Sequence, residues 1–245
     1  MPFTVSHAVV ALPLRRTALP TGAVAVGAMA PDLRLFVPFA PLYSTTHQLA
    51  WLPLTTLLAG ALWLVWRGFV LPAASDLSPS WVAARYAGPP GASATSSPAR
   101  RLLLTTAALA LGVLTHVVWD AFTHQGRWGV ALAPVLDDRV AGTPLYSWFQ
   151  DVSGVLGLLV VVVWFWRRPR RTLASASRRG TRTLRRATAV AVLGALTVGA
   201  VTGLVHGGPP WRVAFVGTRT GMVAVAVVVL LACAVWHGRR VRSTR

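Results

Sequence analysis

Five long apolar runs constrain this chain more than any other feature: Leu49 to Trp66, Leu102 to His124, Tyr146 to Trp166, Ala187 to Val205 and Val213 to Trp236. Each comes close to or exceeds the roughly 20 residues with which a helix crosses a hydrocarbon core about 30 Å thick. In lipid every backbone N–H and C=O must find a partner inside the protein, so unbroken apolar runs of this length read as helices. An earlier stretch, Thr17 to Phe39, is also apolar but is interrupted by Pro20, Pro31 and Pro38. The expected fold is all-α: a polytopic transmembrane helix bundle of five strong spans plus a proline-broken N-terminal segment that would add a sixth if it crosses. Composition agrees, with 54% hydrophobic and only 12% charged residues among 245, where a soluble domain carries about 25% charged.

The charge is lopsided. The formal net charge is +18, and inspection of the sequence finds no Lys and no Glu. The arginines cluster between apolar runs, which fits membrane topology and anionic lipid headgroups and argues against a nucleic-acid partner. Residues 167–186 contain nine arginines and no acid, and the tail after His237 adds Arg239, Arg240, Arg242 and Arg245. Basic loops stay on the cytoplasmic side, and the two spans between these segments let both do so. Counting backwards puts 125–145 outside, Arg67, Arg100 and Arg101 inside, and His47 outside. The expectation is a multi-pass protein of the cell membrane with a cytoplasmic C-terminus. It is read as one membrane-embedded domain over 1–245, with a flexible cytoplasmic loop at 72–100, an arginine-rich loop at 167–186 and a basic tail at 237–245. Trp81 to Tyr86 reads as a short interfacial helix within the first loop. The N-terminus lacks a basic region ahead of its apolar part, so it is not read as a cleaved signal peptide. With a single cysteine, Cys233, no intramolecular disulfide is available.

Against this apolar background, GVLTHVVWDAFTHQGRWG at 112–129 carries His116, Asp120 and His124. At i, i+4 and i+8 a helix places them on one face, over about 12 Å. Imidazole and carboxylate groups one turn apart suit zinc or another divalent metal. An unpaired Asp in hydrocarbon costs several kcal/mol, so such residues usually face a bundle interior and have a partner. The topology brings Asp32 and His47 to the same outer end as these three. Asp151 enters from the same side and could orient a ligand imidazole. Arg34 and Arg127 are placed to clamp a phosphate. If the cluster exists, the Asp32 and Asp120 carboxylates should lie within about 10 Å of one another, close enough to share an ion. His7 could join only if residues 3–14 re-enter the bundle as a partial hairpin. The blander readings are a buried hydrogen-bonded pair for His116 and Asp120, and an ion pair of Asp32 with Arg34 or Arg127. His206 and His237 read as interfacial, Asp137 and Asp138 as solvated loop charges, and Trp51, Trp63, Trp66, Trp164, Trp166 and Trp236 as an aromatic belt.

MPFTVSHAVVALPL, GAMAPDL around Asp32, His47 ahead of a span, and the 112–129 stretch together resemble a bacterial family of integral membrane proteins of unknown function. More remotely the chain is similar to the predicted membrane-bound metal-dependent hydrolases that include LexA-binding inner-membrane proteins. The resemblance implies that His7, Asp32, His47, His116, Asp120 and His124 are shared polar positions. It also gives Gln150 and Ser153, at the start of the next span, a place beside them. The function expected is a metal-dependent hydrolase with an outer-face His/Asp site, zinc first among divalent ions, acting on a lipid-linked or phosphate-ester substrate. With no Glu, a base must be an Asp, a His or water activated by the ion, and Asp120 and His116 are the catalytic candidates. The alternatives are a non-enzymatic ion, proton or lipid carrier, or a structural membrane protein whose polar residues join helices.

Overall fold

The computed structural model describes residues 4–86, 97–170 and 181–243. Its helices are α1 (Thr21–Met29), α2 (Leu52–Val65), α3 (Leu71–Leu77), α4 (Ser80–Tyr86), α5 (Pro98–Thr123), α6 (Trp128–Leu132), α7 (Leu145–Arg167), α8 (Arg182–His206) and α9 (Pro210–Ser243). The described residues hold one two-stranded hairpin, Arg139–Val140 with Thr143–Pro144, and are otherwise helical or irregular. Five helical stretches are long and apolar enough to cross a membrane: Leu49–Leu77, Pro98–Thr123, Leu145–Arg167, Arg182–His206 and Pro210–Arg242. The fold is an all-α bundle of the expected class. By its contacts the chain divides into two compact units, Met1–Trp63 with Thr95–Trp166, and Leu64–Ala94 with Arg167–Arg245.

The first unit is built around a close crossing of α1 and α5. A Cβ on Gly27 would strike the Leu109 carbonyl, and one on Gly112 would strike the Val24 carbonyl and lie 2.6 Å from the Ala28 nitrogen. Only glycine lets the two backbones approach this far, as small residues do at helix contacts in membranes. Ala23, Val24, Ala108, Leu109, Val113 and Val117 fill the core on either side. At 9 residues, or about 14 Å, α1 is too short to cross a bilayer core alone. It continues through a 3-10 turn, Ala30–Asp32, and a further helical turn, Leu33–Phe36. Pro31 lacks the N–H that a regular helix would use here, which accounts for the tighter turn. Ahead of α1, Thr4–Ala11 forms a 3-10 segment with Thr4, Ser6 and Ala11 buried. It packs on α1 and α5, so the chain does fold back into the unit.

In the second unit α8 and α9 form an antiparallel pair, joined through Gly207 and Gly208, both at positive φ. They meet through glycines: a Cβ on Gly199 would lie 2.6 Å from the Gly217 carbonyl. Residues expected to be flexible from 72 onward are in part helical. A π-helical turn, Trp66–Val70, carries the Leu49–Leu77 stretch into α3, and Pro72, with no N–H to give, explains the irregular turn before it. Ala73 and Leu77 then pack against Ala232, Cys233 and Trp236. The GPPGASATSSP part of the expected loop lies at 88–98: 88–96 fall outside the described residues, as does 171–180 of the arginine-rich loop, while Ser97 caps α5 and Pro98, Ala99 and Arg100 belong to that helix. Arg182, Arg185 and Arg186 belong to α8 rather than to a loop. Trp236, expected in an aromatic belt, is buried and donates from its indole N–H to Asp76 Oδ2 at 3.1 Å. His237 stacks on Phe69 and lies 3.0 Å from the Phe69 carbonyl. A buried carboxylate draws such donors because its desolvation must be offset.

Candidate metal centre

The α1–α5 crossing positions the first ligand. His116 lies one turn beyond Gly112, and its Nδ1 sits 2.7 Å from the Ala28 carbonyl across the crossing. His47 follows the helical turn Tyr43–Thr46, and its Nδ1 sits 2.8 Å from the Tyr43 carbonyl. A carbonyl only accepts, so each Nδ1 carries a proton and each ring turns its Nε2 to the centre. Those two Nε2 atoms face one another at 3.1 Å. Two lone pairs at that distance would repel, so the contact calls for a positive charge between the rings, a metal ion or a shared proton.

Carboxylates complete the shell. His47 Nε2 is 3.5 Å from Asp32 Oδ1 and 3.4 Å from Asp120 Oδ2; His116 Nε2 is 3.7 and 3.4 Å from the same two atoms. One donor atom from each of the four residues lies within 4.8 Å of all the others. Tetrahedral zinc, with bonds of about 2.0–2.2 Å to nitrogen and oxygen, separates neighbouring donors by about 3.3–3.6 Å. The donor types and spacings therefore fit a divalent ion, and the group could hold one. All four residues are buried, His116 completely. The Thr4 hydroxyl donates to Asp32 Oδ2 at 2.6 Å, which leaves Oδ1 for the centre. The Thr46 hydroxyl donates to the Pro31 carbonyl at 2.8 Å, tying the His47 turn to the Asp32 turn.

His7 and His124 sit at the margin. His7 Nε2 is 3.6 Å from Asp120 Oδ1, and its ring stacks on His116 with centroids 4.0 Å apart. His124 Nδ1 is 3.6 Å from Asp120 Oδ2, and its Nε2 is 2.8 Å from the Gln150 amide. Their side chains are 15% and 27% exposed, against 8% or less for the four buried donors. The centre thus opens on the side of His7 and His124. Ser153 accepts from the Trp119 indole at 3.2 Å and donates to the Gln150 carbonyl. Asp151 is exposed, and the contact from α7 to an imidazole comes from Gln150 instead. Arg34 Nη1 donates to the carbonyls of Pro38 and Ala40, so it braces its own loop. Arg127 Nη1 donates to the His47 carbonyl at 3.3 Å.

Sequence reasoning gave no part to Thr4 or Tyr43. The Tyr43 ring stacks on His47 at 3.7 Å, and its hydroxyl is 3.4 Å from Asp120 Oδ2. Burial first, then the Asp120 and Asp32 charges, push the phenol well above its usual pKa, so it stays a donor. Both residues carried a readable signal: Thr4 precedes His7 by three positions and Tyr43 precedes His47 by four, the spacings that share a helical face.

This geometry defines a membrane-type helical protein with a buried His/Asp cluster able to hold a metal ion. The family model described as Domain of unknown function (DUF4184) matches residues 1–236, and the chain belongs to that family. No curated protein and no solved structure matches the chain.

Proposed function

We propose that the protein is a membrane-bound, metal-dependent hydrolase, with its centre at the outer face of the cell membrane and its C-terminus in the cytoplasm. The observation that carries the reading is the meeting of two imidazole nitrogens and two carboxylate oxygens within 4.8 Å, from positions as far apart as 32 and 120. The reaction class is taken from the resemblance of the sequence motifs to metal-dependent hydrolases, and the orientation from the arginine distribution. Zinc suits two imidazoles and two carboxylates at tetrahedral spacing. The substrate class is a phosphate ester, lipid-linked where the site meets the bilayer.

Asp32, His47, His116 and Asp120 would hold the ion. A divalent ion held there supplies Lewis acidity, polarising a scissile bond and lowering the pKa of water to about 7. The remaining work falls to this chain's side chains. Thr4 fixes which Asp32 oxygen is presented. The carbonyls of Ala28 and Tyr43 fix both imidazole tautomers. Asp120 and His116, buried among the four donors, would serve as ligands that hold the ion rather than as free acid or base. Proton transfer passes to His7 and His124, the imidazoles at the open side.

The test is hydrolysis of bis(p-nitrophenyl) phosphate by the purified full-length protein supplied with zinc. Turnover should disappear on chelation, return on adding zinc, and fall at least about 100-fold in Asp120→Ala, as when a main electrostatic contributor is removed. Turnover that survives both treatments would sink the hydrolase reading. A proton or ion flux in liposomes without turnover would assign the same residues to a carrier.

A further inference from the structure

We infer that the Tyr43 hydroxyl and the Arg127 guanidinium form a seat for a substrate oxyanion, a phosphate group being the ligand it takes; this rests on the metal-centre reading above.

Tyr43 is locked in place. Its carbonyl holds His47 Nδ1, and its ring lies against the His47 imidazole with an interplanar angle of 29°. The hydroxyl therefore cannot swing away without breaking the stack. Yet its one partner at the centre, Asp120 Oδ2, is 3.4 Å away, the far limit for a bond whose ordinary length is about 2.7 Å. That proton is aimed at the centre and weakly used. An oxyanion arriving beside Asp120 would be a better acceptor than a carboxylate oxygen that would itself be engaged by an ion held among the Nε2 atoms at 3.4 Å.

Arg127 stands behind it. Its Cζ lies 5.7 Å from the Tyr43 ring centroid, and one N–H goes to the His47 carbonyl. A guanidinium has five N–H donors in a planar fork, so most of them remain for a ligand. Charge balance gives this cation a purpose. Two Asp carboxylates neutralise a divalent ion, so the four-ligand centre has no positive charge left over for a phosphate. Arg34 is committed to the carbonyls of Pro38 and Ala40. Arg127, by contrast, is hydrogen-bonded to the ligand residue His47, and the guanidinium fork matches two phosphate oxygens at once. Both Tyr43 and Arg127 are half-buried, as groups must be that meet an incoming ligand.

The test loads the full-length protein in detergent with cobalt(II) and titrates inorganic phosphate, read in the visible spectrum of the cobalt. Wild type should respond and saturate. Tyr43→Phe and Arg127→Gln should each weaken phosphate by about tenfold or more, the worth of one charge-assisted hydrogen bond, with cobalt stoichiometry unchanged. Phenylalanine keeps the ring on His47 and the backbone carbonyl, so it isolates the hydroxyl. Phosphatidic acid that competes with phosphate would assign the seat to a lipid headgroup, and failure to compete would assign it to a soluble phosphate; both support the seat. Full cobalt loading with unchanged phosphate affinity in both variants overturns the seat and leaves the metal centre standing. So does a wild type that does not respond to phosphate, or a Tyr43→Phe protein that loses cobalt. A wild type that retains no cobalt overturns both readings.

Discussion

Asp120→Ala is expected to lose the metal ion, with an affinity at least about 100-fold below wild type, the upper end of what outer-sphere changes alone cost at metal sites. Asp120 is the hub of the cluster. Its Oδ2 faces His47, His116 and the Tyr43 hydroxyl at 3.4 Å each and His124 at 3.6 Å, and its Oδ1 faces His7. Alanine removes one of four donors and the acceptor towards which the other groups are arranged. It also leaves the facing imidazole lone pairs with half the negative charge that would hold a cation between them. The helix itself should persist, because alanine is the residue that a helix interior tolerates best. The variant should therefore be folded and metal-poor. Competition against a chromophoric chelator reads the affinity, and helical content by circular dichroism reads the fold.

Gly112→Ala should cost about 3 kcal/mol and take the metal site with it. The added methyl would meet the backbone at the Val24 carbonyl and the Ala28 nitrogen. Backbone cannot rotate aside as a side chain does, so α1 and α5 must separate; overpacking of this kind costs about 1–3 kcal/mol, and occasionally more. Separation also breaks the bond between His116 Nδ1 and the Ala28 carbonyl, so the loss reaches the site although Gly112 touches no ligand. Gly60→Ala is the control. A Cβ there meets nothing within 4 Å, so the change should be neutral or stabilise the helix by up to about 1 kcal/mol. Thermal unfolding in detergent, with and without chelator, separates the two variants.

The five spans were legible because lipid leaves a sequence few options. The end of each helix was less so. The stretch 72–100 reads as a loop by its Pro, Ser, Gly and Ala content, yet Leu71–Leu77 is helical. Its true signal was the apolar face of Ala73 and Leu77, whose partners Ala232, Cys233 and Trp236 lie far along the chain. The convergence of Asp32, His47, His116 and Asp120 followed from orientation and helical spacing, and the Asp32 and Asp120 donor atoms lie within 4.8 Å, inside the expected limit of about 10 Å. What spacing alone could not supply was the path of the N-terminus. The 3-10 segment that brings Thr4 and His7 to the centre is set by packing on α1 and α5, and packing is not written in hydrophobic periodicity. Tyr43 differs: its place four residues ahead of His47 was a readable signal, and the helical turn between them turns that spacing into a ring stack.

X-ray absorption at the metal edge, on full-length protein purified without added metal or chelator, tests the cluster most directly. One ion per chain, with two imidazole nitrogens and two carboxylate oxygens at about 2.0–2.2 Å, is the predicted result. A protein that carries no ion, its facing imidazoles held instead by an extra proton, would contradict it, as would an ion whose shell contains no imidazole nitrogen.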